Sequence, residues 1–202
     1  MVRLRDKPIL GAVFCLGLHK KAVTARRVSE YLGLEERDLT KKVSQMTKSG
    51  MLSKRGGKLR LTDSGRKRLM VVFIGGGFEV IHRGHLYTIE KAKSLGDVLV
   101  VVVAKDSTIR RRKGREPVAN ELERVKLLSS LRQVDAAILG VEGDIYETLE
   151  KVRPDIVALG YDQYHLESDI IREGGARRMM LKVVRLDSPY PAVKTSALLK
   201  GL

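Results

Sequence analysis

The run Asp97-Val98-Leu99-Val100-Val101-Val102-Val103 sets the tightest limit on how this chain folds. Its apolar residues are continuous and do not alternate with polar ones, so neither face of the strand they predict can meet water. A strand buried on both faces belongs to a parallel sheet covered by helices. Shorter apolar runs lie at 70–74, 135–139, 156–159 and 181–186, and segments of helical character separate them at 85–94, 121–131, 144–151 and 167–173. Asn120 with Glu123 predicts a capping box at the start of the second of these helices. Strand–helix alternation across 69–202 predicts an α/β domain, a Rossmann-like doubly wound parallel sheet.

Residues 1–68 follow another pattern and predict a small separate domain. Ile9, Leu10, Val13, Phe14 and Leu16 mark a helix over 8–18. Thr24 is the N-cap of a helix over 25–32, and Gly33 stops it. Leu39, Val43 and Met46 share one face of a third helix over 35–48. The runs 52–55 and 58–61 flank Gly56-Gly57 and predict a β-hairpin; Thr62, Asp63 or Ser64 then opens a short helix.

Charge divides the chain at the same place. The net charge is +15; residues 1–68 hold 18 Lys+Arg against 6 Asp+Glu, and residues 69–202 hold 21 against 18. A nucleic-acid partner and a solvated basic surface both explain such an excess. No apolar run approaches the roughly 20 residues that span a bilayer, so no membrane partner is expected. The single cysteine, Cys15, cannot form an internal disulfide, which suits a reducing cytoplasm.

Ligands of open α/β sheets bind at the carboxyl ends of the strands. The first strand of 69–202 runs into Gly75-Gly76-Gly77-Phe78-Glu79-Val80-Ile81-His82-Arg83-Gly84-His85, where a helix begins. The glycines allow close backbone approach to a ligand and are the expected positions of positive φ. A helix amino terminus offers free N–H groups to an anion. His82 and His85, three apart, place two imidazoles beside that anion, and each can donate a hydrogen bond to a phosphate oxygen. No third ligand of suitable type stands close to the pair, so no protein-built metal site is expected.

This stretch resembles the GTFDxxHxGH signature of the cytidylyltransferase-like nucleotidyltransferase superfamily. AKSLGDVLVVVVAKDSTIRRRKGREPV, ERVKLLSSLRQVDAAILG and VRPDIVALGYDQ are similar to archaeal FAD synthases, which are FMN adenylyltransferases, and more loosely to glycerol-3-phosphate cytidylyltransferases. Two positions depart from the signature: Gly77 stands for threonine and Glu79 for aspartate. The first loses a hydroxyl, and the second keeps its carboxylate on a longer arm.

The resemblance implies roles position by position. Gly76, Gly77 and Phe78 line the nucleotide pocket. His82, Arg83, Gly84 and His85 hold the triphosphate, with His82 and His85 stabilising charge in the transition state. Lys113, on a basic loop after the second strand, binds the incoming phosphate substrate. Arg124 stands near the site or forms a helix-surface salt bridge. Gly160 and Asp162 hold base and ribose. The segment Lys194-Thr195-Ser196-Ala197-Leu198-Leu199-Lys200 resembles the second superfamily signature, ISSTxxR, with Thr195 and Ser196 on the β- and γ-phosphates and Lys200 in place of the usual arginine.

The implied reaction joins ATP and FMN to give FAD and pyrophosphate, with Mg2+ or another divalent cation carried by ATP. A cytidylyltransferase acting on a polyol phosphate such as glycerol 3-phosphate is the second reading. A DNA-binding regulator with a nucleotide- or flavin-sensing domain is the third. Residues 1–68 resemble winged helix-turn-helix domains, which implies that Lys41, Lys42, Lys48, Lys54, Arg55, Lys58 and Arg60 meet DNA phosphates; a docking module is the other role of that fold. A cytoplasmic homodimer is the expected assembly.

Overall fold

The computed structural model describes residues 5–19, 21–142, 144–193 and 195. The chain divides into two compact units, Met1–Met70 and Val71–Leu202. The segment carrying Ser196 and Lys200 lies outside the described residues, as does Lys194.

The first unit runs α1 (Asp6–Leu18), α2 (Ala25–Leu32), α3 (Glu36–Lys48), β1 (Leu52–Arg55), β2 (Lys58–Leu61) and α4 (Asp63–Arg66). Thr24 caps α2 by accepting from the Arg27 N–H, and Gly33 ends it in the left-handed region at φ 64°. Gly56 and Gly57 both take positive φ, 53° and 73°, which matches the strand twist of a two-residue hairpin turn. Ile9, Leu10, Leu39, Val43, Met46, Leu52 and Leu59 are buried and form the core. Lys41, Lys48, Lys54, Arg55, Lys58 and Arg60 are exposed, whereas Lys42 is half-buried. The Lys42 ammonium pairs with Asp6 at 2.6 Å, so its charge is engaged by α1.

The second unit runs β3 (Val71–Gly76), α5 (Arg83–Ser94), β4 (Val98–Val103), α6 (Asp106–Lys113), α7 (Glu121–Ser129), β5 (Ala136–Leu139), α8 (Ile145–Val152), β6 (Ile156–Leu159), α9 (Glu167–Ala176) and β7 (Lys182–Arg185). The strands form one parallel sheet in the order β5-β4-β3-β6-β7. Every residue of β4 is buried, as its unbroken apolar run requires. The order reverses between β3 and β6, and that switch point opens a crevice at the strands' carboxyl ends. The Asn120–Glu123 capping box is formed in both directions.

One helix departs from the sequence reading. The stretch after β4 forms α6, and Lys113 is its last residue rather than part of a loop. Only Ile109 of α6 is buried, so its arginine-rich sequence carries no apolar stripe. Long-range contacts fix it: the Asp106 N–H donates to Glu121 at 2.8 Å, and Asp106 accepts from Arg124. No helix among the described residues is long and apolar enough to cross a membrane.

Candidate active site

β3 delivers its end, Gly75-Gly76, and the following Gly77 to the switch point. Positive φ falls on Phe78, at 48°, and not on these glycines. Gly76 serves packing instead: a Cβ there would stand 2.9 Å from the Phe78 ring. Gly77 is under no such constraint, since its Cβ would meet only Ile109 at 3.8 Å. The missing threonine is therefore a change of chemistry, not a demand of the backbone.

The chain then enters α5 with His82 as N-cap. The first N–H groups of any helix lack intrahelical acceptors, so the turn Arg83-Gly84-His85 offers donors to an anion. The His82 and His85 rings stack with centroids 3.9 Å apart and planes 26° from parallel. Gly84 makes this possible, because a Cβ there would sit 3.2 Å from the His82 ring. Phe78 closes the other side, its centroid 5.2 Å from that of His85. Thr195 comes from the far end of the chain to within 3.4 Å of His82 Nε2. His82 Nδ1 is buried with no hydrogen-bond partner among the described residues.

Burial, then the neighbouring His82, lowers His85 from its usual pKa to about 4. Burial lowers His82 too, and the Asp162 carboxylate only partly opposes this. Both rings are neutral donors at neutral pH. This couples the site to stability. Between pH 6.5 and about 4 the unfolded chain protonates His85 and the folded one does not. The depressed histidine therefore costs stability as pH falls through that window and costs none above it, with a slope of up to about 1.4 kcal/mol per pH unit. Denaturant midpoints at pH 7, 6 and 5 are expected to fall less steeply for His85→Gln than for wild type. Parallel pH profiles would count against this assignment.

A cavity of about 330 Å³ opens where β3 ends; Phe78 and the turn His82-Arg83-Gly84-His85 do not line it. Gly76, Gly77, Lys113 and Asp162 line it, together with Gln163 and Tyr164. His82, Gly84, His85 and Thr195 form a second cluster, and the charge of Asp162 is felt by both histidines, whereas the Arg83 guanidinium lies over the Tyr190 ring at 4.7 Å. Gly160 does not line the cavity. Its N–H donates to Gln163 Oε1 at 3.3 Å, while Gln163 Nε2 donates to the Gly75 carbonyl at 2.6 Å. Gln163 thus ties the β6 loop to the end of β3 across the switch point. Arg185 holds the same loop, donating to the carbonyls of Gly160, Gln163 and His165.

Arg124 is not a surface residue. Its side chain is 1% exposed, and it donates to the Gly77 carbonyl at 2.5 Å, the Ala119 carbonyl at 3.0 Å and Asp106 at 2.5 Å. Glu79 is buried as well, paired with Lys113 and Arg115. Burial would raise the Glu79 pKa, but hydrogen bonds from Arg115 and Lys113 outweigh it and hold the carboxyl below its ordinary value. Among the described residues no group of three or more His, Cys, Asp or Glu side chains could cage a metal ion.

A turn able to receive phosphate, two imidazoles and a switch-point cavity all belong to the second unit. The model of the Cytidylyltransferase-like family matches residues 73–200. The chain belongs to the cytidylyltransferase-like family. Its similarities reach the archaea. The FAD synthase of Methanothermus fervidus is 49% identical over 114 residues, 55% of this chain and 78% of that protein. The FAD synthase of Pyrococcus abyssi is 38% identical over 144 residues, 69% of this chain and 95% of that protein. The solved lipopolysaccharide core biosynthesis protein of Thermoplasma volcanium is 42% identical and superposes with a TM-score of 0.57, covering 59% of this chain and 98% of that one. The matched family residues fall in the second unit, which carries the nucleotidyltransferase chemistry of this cytidylyltransferase-like chain.

Proposed function

We propose that the second unit is an FAD synthase. An oxygen of the FMN phosphate attacks the α-phosphorus of ATP in line; the bond from that phosphorus to the bridging oxygen breaks, and pyrophosphate leaves. The observation that carries this is the donor-rich histidine turn together with a cavity that has Lys113 on its wall, in a chain whose relatives are FAD synthases over most of their length. The residues act by positioning and charge neutralisation. His82, His85 and the α5 amino terminus take the β- and γ-phosphates with Thr195 and Ser196. Lys113 takes the acceptor phosphate, and Asp162 takes the ribose. A divalent cation such as Mg2+ would arrive with the nucleotide and would supply further neutralisation of phosphate charge. Incubation with ATP, Mg2+ and FMN tests the reading by chromatography of FAD. Turnover of CTP with glycerol 3-phosphate, and none of ATP with FMN, would replace it with the polyol-phosphate reading.

For the first unit we propose a winged helix that binds duplex DNA. Supporting this, Lys41, Lys48, Lys54, Arg55, Lys58 and Arg60 are exposed on α3 and the hairpin, with no carboxylate partner among the described residues. Cations without internal partners favour an external polyanion. Few aromatics are exposed in this unit, only Tyr31 among the described residues, so single strands find little to stack on. Fluorescence anisotropy of a labelled duplex against salt checks it. Replacing Lys54, Arg55 and Lys58 with glutamine is expected to flatten the salt slope by about 1 per lost phosphate contact. Lys42→Ala is expected to leave the slope unchanged, because that cation already pairs with Asp6. The three-glutamine variant keeping the full slope would reject the surface.

A homodimer belongs to the same proposal, supported by exposed apolar side chains at Val118, Leu122 and Leu127. So does a cytoplasmic setting, supported by the single buried cysteine, Cys15.

A further inference from the structure

We propose that Glu79 is a positioning residue whose buried carboxylate joins Lys113 and Arg115 into one clamp for the acceptor's phosphate. The identity of that acceptor as FMN rests on the FAD synthase reading; the clamp itself rests on geometry. The Glu79 side chain is 0% exposed, while those of Lys113 and Arg115 are 40% and 37% exposed. Arg115 donates from Nη1 to Oε1 at 2.7 Å and from Nη2 to Oε2 at 3.3 Å. Lys113 Nζ donates to Oε2 as well. Both carboxylate oxygens are thereby occupied, so Glu79 is placed to orient its partners rather than to touch a ligand.

The local chain explains how two cations reach one carboxylate. Lys113 ends α6, and Gly114 takes the left-handed conformation at φ 65°. That turn brings Arg115 back toward the carboxylate that Lys113 already holds. Two cations against one anion leave a surplus positive charge; Lys113 lines the cavity and faces the phosphate, while Arg115, outside the lining and also donating to the Glu116 carbonyl at 2.8 Å, acts by fixing the carboxylate. A lysine ammonium has three donors, and Glu79 engages one, which leaves donors for a phosphate monoester. The departure from aspartate gains meaning here, because the longer arm of glutamate reaches both cations from the site loop. A fork from Arg115 also fixes the carboxylate plane, as a lysine could not.

A double-mutant cycle on the full chain tests the clamp. Glu79→Gln is expected to raise KM for FMN about tenfold, the size of a lost charge-assisted hydrogen bond, with KM for ATP held within about twofold. Lys113→Ala is expected to raise the same constant. The double variant is expected to be no worse than Lys113→Ala alone, since Glu79 works through Lys113. Glu79→Asp, which keeps the charge on a shorter arm, is expected to recover part of the loss. Additive losses, or equal rises in both KM values, would overturn the proposal. If Glu79→Gln does not fold, Arg115→Ala replaces it in the cycle with Lys113→Ala, and additivity there is equally fatal. Should the wild type make no FAD, the flavin reading falls alone. The cycle is then read by calorimetry with inorganic phosphate, where unchanged affinity in Glu79→Gln overturns the clamp.

Discussion

Replacing His85 with alanine is expected to lower kcat for FAD formation by about 10²–10³, the usual loss for one preorganised donor in a phosphate or oxyanion site. Three observations place the effect in kcat. His85 sits in the first turn of α5, where helix N–H groups lack intrahelical acceptors and suit an anion. Its ring is fixed by stacking on His82 and by Phe78, so little reorganisation is needed as charge develops. It is neutral when the site is empty, so part of its attraction for phosphate appears only as negative charge builds and pulls on its proton. KM for ATP is expected to change less, because the helix terminus, His82 and Thr195 remain. Chromatographic assay of FAD at saturating ATP and FMN reads the effect. A folded His85→Ala protein with wild-type kcat would remove this side chain from the chemistry.

Much of this arrangement was legible in the residues. The unbroken apolar run of β4, the capping box at Asn120 and the glycine stop at Gly33 each act within a few positions, and periodicity or capping chemistry reports them directly. The histidine turn was legible for the same reason, since strand, glycines and helix start are adjacent in the chain. What stayed hidden acts between distant segments. Gln163 reaches the Gly75 carbonyl from 88 positions away, and Arg185 fastens a loop that precedes its own strand. Such side-chain bonds to backbone leave no period in a sequence. α6 was hidden because one buried residue, Ile109, gives no stripe to read, although Gly114 after it is an ordinary helix stop. Conformational freedom alone points to the glycines as the positions of positive φ. Positive φ falls on Phe78, whose ring must turn back over Gly76 and toward His85. Glu79 was legible as a departure from the family signature, but its two partners lie 34 and 36 positions away.

Arg124→Ala is expected to destabilise the second unit by about 3–5 kcal/mol, the range for removing one partner from a buried charged network. Against a typical total of about 5–15 kcal/mol, that is a large share. The guanidinium is 1% exposed and holds three acceptors on three segments: the Gly77 carbonyl, the Ala119 carbonyl and Asp106. Its loss strands all three at once. Arg124→Lys is expected to recover little, because one ammonium cannot span the positions of a planar fork. Hydrogen exchange of β3 and β4 amides is the suitable measure, since it reports this unit whatever the first unit does. Exchange as slow as wild type would show that the acceptors find other donors. The cost is not evenly spread. Asp106 keeps 18% exposure, so the stranded carboxylate can draw some water. Adding Asp106→Asn to Arg124→Ala removes that charge and should return part of the stability, while the Gly77 carbonyl stays without its donor. Catalysis should then recover less than stability, because Gly77 lines the switch-point cavity and Arg124 is what fixes its carbonyl.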